Sequence, residues 1–474
     1  MKYLSKKGDG SQAMPRGFFA ALAAVSATLL VWQLVEYGGA SQAFYDTPSY
    51  FRAWDYIKTI HSHQTRPPVY PFFVGGLRDI VGVPAMRVIV ALVQWGIYVA
   101  MMPLAWQLCR RLGAGMRLTG AAVSLFLLVP GFWVLNNVVL PESMCGSFIV
   151  LLLWLVMVTI DSGSRRAMLW SAVTIVVLTM SKPVFVYLVA LIPVVWFTSA
   201  RKHDVKLKLP ASLTAGVAAV ICIYCMCTQH THEVMSISQT ADFNRYLQLR
   251  EEGLMRPQDI VGRNDLRELI AEYYARDPGT WHPFVTDSLW REINRINWPD
   301  LHWLNNNAMA HHPRETAVMY LKNFPRSADY DLFYNPLYPP EVPQYWIHAW
   351  NDTDGSDPVL MIYPCYRQIR PQVWVGWMIG LWFVALWLWR WWRSGRFPAV
   401  AYAVGASMIS CYVVSIVGAP DDWGRLLSPV NMLLPIMLAS SGAALWDVMR
   451  RPKKSAKRKK FPFIKQKRGT NLLS

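Results

Sequence analysis

The chain has 474 residues, 53% of them hydrophobic and only 16% charged, with 23 tryptophans and a formal net charge of +17. The apolar residues come in runs rather than at amphipathic spacing, which excludes an ordinary soluble domain. A run of about 20 apolar residues crosses the hydrocarbon core as a helix, because a helix rises about 1.5 Å per residue and satisfies its own backbone polar groups.

Ten such spans are predicted, at 17–37, 84–108, 117–135, 143–160, 167–181, 184–199, 209–228, 371–392, 398–418 and 425–446. The expected fold class is therefore an all-α polytopic membrane protein with a mixed extracytoplasmic domain. Ala40-Ser41-Gln42-Ala43 looks like a processing site, but the apolar core from Phe18 to Val35 is too long for a signal peptide, so an uncleaved anchor is expected.

The first outer loop, 38–83, follows. Thr47 is placed to cap a helix with Pro48 at its first position. Tyr50, Phe51, Trp54, Ile57 and Ile60 then fall on one face, the pattern of a short amphipathic helix at the membrane surface. Arg66-Pro67-Pro68-Val69-Tyr70-Pro71 adds a rigid element with an arginine at the membrane boundary.

The fifth and sixth spans divide one apolar stretch at Ser181-Lys182-Pro183, where a lysine and a helix-breaking proline would otherwise lie at mid-membrane. Charge supports the division. With ten spans, the inner segments carry Lys2–Arg16, Arg110-Arg111, Arg117, Arg165-Arg166, Arg201-Lys202, Lys206, Lys208, Arg390–Arg396 and the tail, all basic as the positive-inside rule requires. Both termini are thus expected in the cytoplasm, with a bacterial inner (plasma) membrane as the default location.

Four regions result: a seven-span block over 1–228, an extracytoplasmic domain over 229–370, three spans over 371–446 and a basic cytoplasmic tail over 447–474. Segment 229–370 holds 19 of the 30 acidic residues and 13 of the 47 Lys and Arg, a net −6 against +23 elsewhere. The tail after Asp447 has eleven Lys and Arg and no acid, which beside a membrane span suits topology and anionic lipid rather than nucleic acid. No internal repeat of the kind that builds many transporters is visible. Pro336 to Pro343 reads as an irregular lid or loop, and His312 to Leu321 as an amphipathic helix docking on the membrane.

Polar residues kept at the outer ends of apolar helices are costly and tend to be functional. Here they are Asp46 and Asp55, Arg66, Glu142 in Leu140-Pro141-Glu142-Ser143, Lys182, and Asp421-Asp422-Trp423-Gly424-Arg425. A carboxylate beside an amphiphilic groove suits a general base, and arginines and a lysine suit a lipid-linked phosphate. Plainer roles exist for each: Asp46 as a helix-terminus anion, Arg66 reaching to headgroups, Glu142 as a helix start, Lys182 in a structural pair, and Arg425 pairing with Asp421 or Asp422. Cys222, Cys225 and Cys227 and the pairs His230/His232 and His311/His312 show no metal-ligand spacing.

Tyr45-Asp46-Thr47-Pro48-Ser49-Tyr50-Phe51-Arg52-Ala53, with Arg66-Pro67-Pro68-Val69-Tyr70-Pro71 and Gly82, resembles the first outer loop of the GT-C glycosyltransferases, in the branch of protein O-mannosyltransferases and the lipid A aminoarabinose transferase. Leu140-Pro141-Glu142-Ser143 and Gly424-Arg425-Leu426-Leu427-Ser428-Pro429 are similar to later motifs of that branch. The resemblance covers roughly 17–200 and 398–446. It implies inverting transfer of a sugar from a polyprenyl-phosphate donor to an acceptor hydroxyl on a glycan, lipid or protein, outside the cytoplasm. Asp46 would be the base, with Arg66, Lys182 and Arg425 on the donor phosphate. Asp55, Tyr70, Glu142, Asp421 and Asp422 would contact substrate. Many relatives have two adjacent acids where this chain has Tyr45-Asp46, which leaves a divalent cation open and no metal ligand assigned. A transporter or flippase of a lipid-linked glycan, a polymerase or ligase using a pyrophosphate donor, and a non-catalytic assembly subunit are the other readings.

Overall fold

The structure, a computed structural model, describes residues 13–36, 46–276, 295–328, 330, 332, 372–395, 397–419 and 423–450. Most of these residues are in helices, with no strand among them. In chain order the bundle contains α1 (Arg16–Glu36), α2 (Thr47–Lys58), α3 (Val69–Arg111), α4 (Met116–Leu128), α5 (Glu142–Ser162), α6 (Arg165–Ser181), α7 (Leu188–Lys202) and α8 (Lys208–His232). The segment beyond it holds α9 (Thr240–Glu251), α10 (Asn264–Arg276), α11 (Trp298–His311) and α12 (Pro313–Ala328). Then come α13 (Val373–Ser394), α14 (Ala399–Gly418), α15 (Trp423–Asn431) and α16 (Leu434–Arg450).

Seven of the helices are long and apolar enough to cross a membrane, and up to nine do so if each of two bent pairs is one span. One of the seven spans, Pro183–Lys202, reaches 20 residues only by joining α7 to the turn before it, and α6 at 17 residues is about 25 Å long against a hydrocarbon core of about 30 Å. Helix α5 is central, with 72% of its span buried, whereas α1 and α8 show 17% and face outward.

The breaks sit where the sequence puts helix breakers. Gly82 adopts φ 77°, a conformation that glycine alone enters cheaply, and Pro84 follows. Helix α3 is therefore two helices, and the second is the expected span from 84. The stretch after α7's predecessor also divides as expected. Lys182 is extended, Pro183–Tyr187 forms a 3-10 turn, and α7 returns antiparallel to α6, so that Trp196 Nε1 donates to Ser171 Oγ at 3.0 Å.

Four expectations need correction. The span placed at 425–446 is not one straight helix, since it is bent by 46° at the break between Asn431 and Leu434. The span placed at 117–135 is not continuous: Val129 is extended before Pro130, and the chain turns by 73° into a short helix ending at Asn137. Side chains meet the freed backbone: the Tyr98 hydroxyl donates to the Phe126 carbonyl at 2.6 Å, Trp133 Nε1 to the Leu127 carbonyl at 3.0 Å, and Gln94 Nε2 to the carbonyls of Asn136 and Val138 at 2.9 Å. Thr47 does not cap α2 with its hydroxyl, which donates instead to the Val139 carbonyl at 3.2 Å. Ile60 lies past the end of α2 with φ 63° and is 95% exposed, so it leaves the apolar face.

The described part of 229–370 is helical and has its own core, built around Tyr246, Leu249, Ile270, Leu301 and Leu304. Its expected mixed character, and the proline run from Pro336, rest on residues outside the described ones. Helix α12 covers the expected amphipathic helix. This segment docks on the end of α14 through amide side chains. Asn323, Gln248 and Asn244 donate to the carbonyls of Ile416, Val417 and Gly418 at 3.1, 3.4 and 3.1 Å, and Ala419 N serves Ser415 O. The four carbonyls that a helix end leaves open are all satisfied.

Candidate functional site

Five charged residues from five places in the chain meet at one end of the bundle. Asp46 stands at the N-cap of α2, Arg66 just before α3, Glu142 at the start of α5, Lys182 at the end of α6 and Arg425 in α15. Local sequence accounts for each placement. Pro48, Pro68 and Pro141 begin helices, and Pro183 ends one. Gly146 lets α15 approach α5, since a Cβ there would lie 2.9 Å from Met432 Cγ and 3.4 Å from the Pro429 carbonyl.

The contacts form one chain of alternating charge. Arg66 Nη2 pairs with Asp46 Oδ1, and Arg425 Nη1 lies 2.6 Å from Asp46 Oδ2. The same Arg425 nitrogen is 3.8 Å from Glu142 Oε1, which Lys182 Nζ approaches at 3.1 Å. Three cations and two carboxylates give the cluster a formal charge of +1. Glu142 is 2% exposed, and its Oε2 has no hydrogen-bond partner among the described residues.

Asp46 makes no capping hydrogen bond, so the helix-terminus role does not account for its side chain. Burial pushes its carboxyl up, but Arg66 and Arg425 outweigh this and hold it below the ordinary carboxylate value. As it stands, Asp46 is ionised and a weak base, with both oxygens occupied. Arg66 is oriented further by Ser49, whose Oγ accepts from Nε at 2.7 Å, and by the Tyr50 ring at 4.9 Å. His63 Nδ1 accepts from the backbone N–H of Thr65 and Arg66 at 3.2 and 3.3 Å. Burial, then the charges of Arg66 and Arg52, lower its pKa to about 4, so it is neutral near pH 7.

Of the other expected site residues, Tyr70 packs beneath the cluster, buried, with its ring 5.0 Å from Tyr50 and its hydroxyl 3.4 Å from Gln94 Oε1. Asp55 is not brought to the site. It pairs with Arg78 at 2.6 Å and Lys58 at 3.0 Å in a half-exposed group that includes Asp79. Asp421 and Asp422 lie outside the described residues. Among the described residues Arg425 pairs with Asp46 and lies 3.8 Å from Glu142. Ser49, Gln94, Asn136 and Ser143 were not singled out from sequence. Asn136 Oδ1 accepts from Ser143 Oγ beside Glu142, and a polar residue inside an apolar run was the available signal for Gln94 and Asn136.

Among the described residues no group of three His, Cys, Asp or Glu could hold a metal ion, and both carboxylates of the cluster already face cations. The donor set does not fit a divalent cation. What it fits is an anion that can compete with Asp46 and Glu142 for arginine and lysine.

No family model matches the chain, and no curated protein matches it. The described residues define a helical bundle with several helices apolar enough to span a bilayer and, at one end, a largely buried cluster of three cations and two carboxylates.

Proposed function

We propose that the chain is a membrane glycosyltransferase that moves a sugar from a polyprenyl-phosphate donor to an acceptor hydroxyl. The observation that carries this reading is the convergence of Asp46, Arg66, Glu142, Lys182 and Arg425, which are far apart in sequence, into one cluster of net charge +1. An isoprenoid tail needs apolar helices, and its phosphate needs cations at their ends. The resemblance of the motifs around these same residues to the GT-C enzymes supports it.

In this mechanism the donor phosphate draws Arg66 and Arg425 away from Asp46. One exchange then does two things: it seats the phosphate, and it releases a carboxylate whose basicity the arginines had suppressed. Asp46 takes the proton of the acceptor hydroxyl as its oxygen forms a bond to the anomeric carbon. The bond from that carbon to the phosphate oxygen breaks on the opposite face, with inversion. The departing lipid phosphate gains one negative charge, which Arg66, Arg425 and Lys182 stabilise. Glu142 keeps Lys182 and Arg425 in place.

The cluster end is assigned to the outside of the membrane. Arg110, Arg111, Arg165, Arg166, Arg201 and Lys202 lie at helix ends on the other side of the bundle, where Arg111 pairs with Asp161 and Lys202 reaches the Ile160 carbonyl. The test is sugar release from a panel of polyprenyl-phosphate and polyprenyl-pyrophosphate sugars by the full chain in nanodiscs. Turnover of a monophosphate donor supports the proposal. Tight binding without turnover of any donor would move transport of a lipid-linked glycan ahead of it.

A further inference from the structure

Helix α9 touches the supports of both arginines that hold Asp46. Residues 59–68 lie between α2 and α3 and are not helical, and Arg66 stands near the end of that stretch. The end of α8 and the segment leading into α9 clasp it by its backbone carbonyls. His232 Nε2 donates to the Ser62 carbonyl at 2.8 Å, and Gln239 N to that of Gln64 at 2.8 Å. Ser238 Oγ and Thr240 Oγ1 both donate to the Thr65 carbonyl, at 2.8 and 3.3 Å, on the residue just before Arg66.

The same helix reaches the support of Arg425. Asn244 and Gln248 of α9 donate to the carbonyls of Gly418 and Val417 at the end of α14. Trp423, two residues before Arg425, is tied to that end as well: its Nε1 donates to the Ala419 carbonyl at 3.1 Å, and its buried ring packs edge-on against Tyr330 at 4.8 Å. Helix α9 is 12 residues long, about 18 Å, and is itself held firmly. Leu247 and Leu249 are buried, Asn305 Nδ2 donates to the Asp242 carbonyl at 2.8 Å, and Glu252 just past its end pairs with Lys322 and Arg326 of α12 at 2.6 and 2.7 Å.

Arg66 and Arg425 grip opposite oxygens of one carboxylate. A two-armed site of this kind works only if its arms keep their separation to about 0.5 Å, and a non-helical stretch does not hold Arg66 to that by itself. We propose that α9 sets this separation, and that Ser238 and Asn244 are positioning residues for the two arginines, acting through the backbone on either side without touching the cluster. On the proposed sugar transfer the donor phosphate takes both arginines at once, so its seat depends on α9. Only the identity of that anion rests on the proposed reading; the tie between the arginines does not.

Hydrogen exchange is followed by mass spectrometry on the full chain in nanodiscs, without ligand, for wild type, Ser238→Ala, Ser238→Thr and Asn244→Ala. Each alanine variant is expected to speed exchange roughly fivefold both in 62–66 and in 416–419, the size of one lost hydrogen bond. Ser238→Thr, which keeps the hydroxyl, is expected to exchange like wild type. Faster exchange confined to the substituted end would overturn the tie. The same proteins are then titrated with farnesyl phosphate. Wild type is expected to bind it and the alanine variants to bind it roughly fivefold more weakly, with no further loss from Ser238→Ala once Arg66→Ala is in place. Equal binding by wild type and both alanine variants, or a Ser238→Ala loss that persists without Arg66, would overturn the positioning role. If wild type bound no farnesyl phosphate while the exchange result held, the donor-phosphate reading would fail and the tie would stand.

Discussion

Replacing Lys182 with methionine should destabilise the protein severely, and replacing Glu142 as well should recover much of the loss. Lys182 Nζ is 3.1 Å from Glu142 Oε1, with side-chain exposures of 9% and 2%. At that distance two unit charges attract by roughly 5 kcal/mol for an effective dielectric of about 20. Much of this offsets the cost of burying the charges, so the pair contributes little net stability. Removing one member is different, because the other stays buried. In general that costs about 3–5 kcal/mol. Arg425, 3.8 Å away, remains to help Glu142. The expected loss for Lys182→Met is therefore at the low end, about 3 kcal/mol. In Lys182→Met/Glu142→Gln neither charge is left, and the cycle should give a coupling of about 2 kcal/mol. Melting of the four proteins in one detergent checks this, with Lys182→Met expected about 3 °C below wild type. If the two single losses simply added in the double variant, the pair would not be formed in the folded protein.

Other consequences can be measured in the same preparations. Gly75→Ala should dislodge α2 from α3 at a cost of about 1–3 kcal/mol, because the new Cβ would lie 2.3 Å from Trp54 Cβ, an atom no rotamer change can move. Limited proteolysis between α2 and α3 reports it. Asn323→Ala should leave the Ile416 carbonyl unpaired where α14 is buried, costing about 1–3 kcal/mol, whereas an exposed control such as Arg52→Ala should melt like wild type. For His63, the folded-state pKa of about 4 lies below the unfolded value. The unfolded state therefore binds the proton first, and stability is full above about pH 6.5 and falls as pH drops towards 4. Part of that fall should disappear in His63→Gln, read from Tm against pH.

Much of the helical framework was legible because the signals were local. Runs of apolar residues marked most spans, and the Lys182-Pro183 pair marked the turn between α6 and α7. The five charged residues that meet were each visible as costly charges at helix ends. Their partners were not. Nothing in the sequence signals that Arg425 meets Asp46, 379 positions away. Asp55 resembled Asp46 in composition and neighbourhood, yet Arg78 and Lys58 keep it in an exposed group. The break at Val129-Pro130 was read as part of a span because the groups that make it tolerable are distant ones, Tyr98 at the Phe126 carbonyl and Gln94 at those of Asn136 and Val138. In each case the deciding contact is long-range, and no periodicity encodes it.

On the proposed mechanism, Asp46 becomes a base once the donor phosphate takes its arginines. The most direct test compares wild type and Asp46→Asn for sugar release from the donor panel, with a thermal melt to establish that the variant is folded. Wild type is expected to turn over donor and a folded Asp46→Asn to lose more than about a hundredfold, with donor binding retained through Arg66 and Arg425. A folded Asp46→Asn that turns over donor like wild type would contradict it.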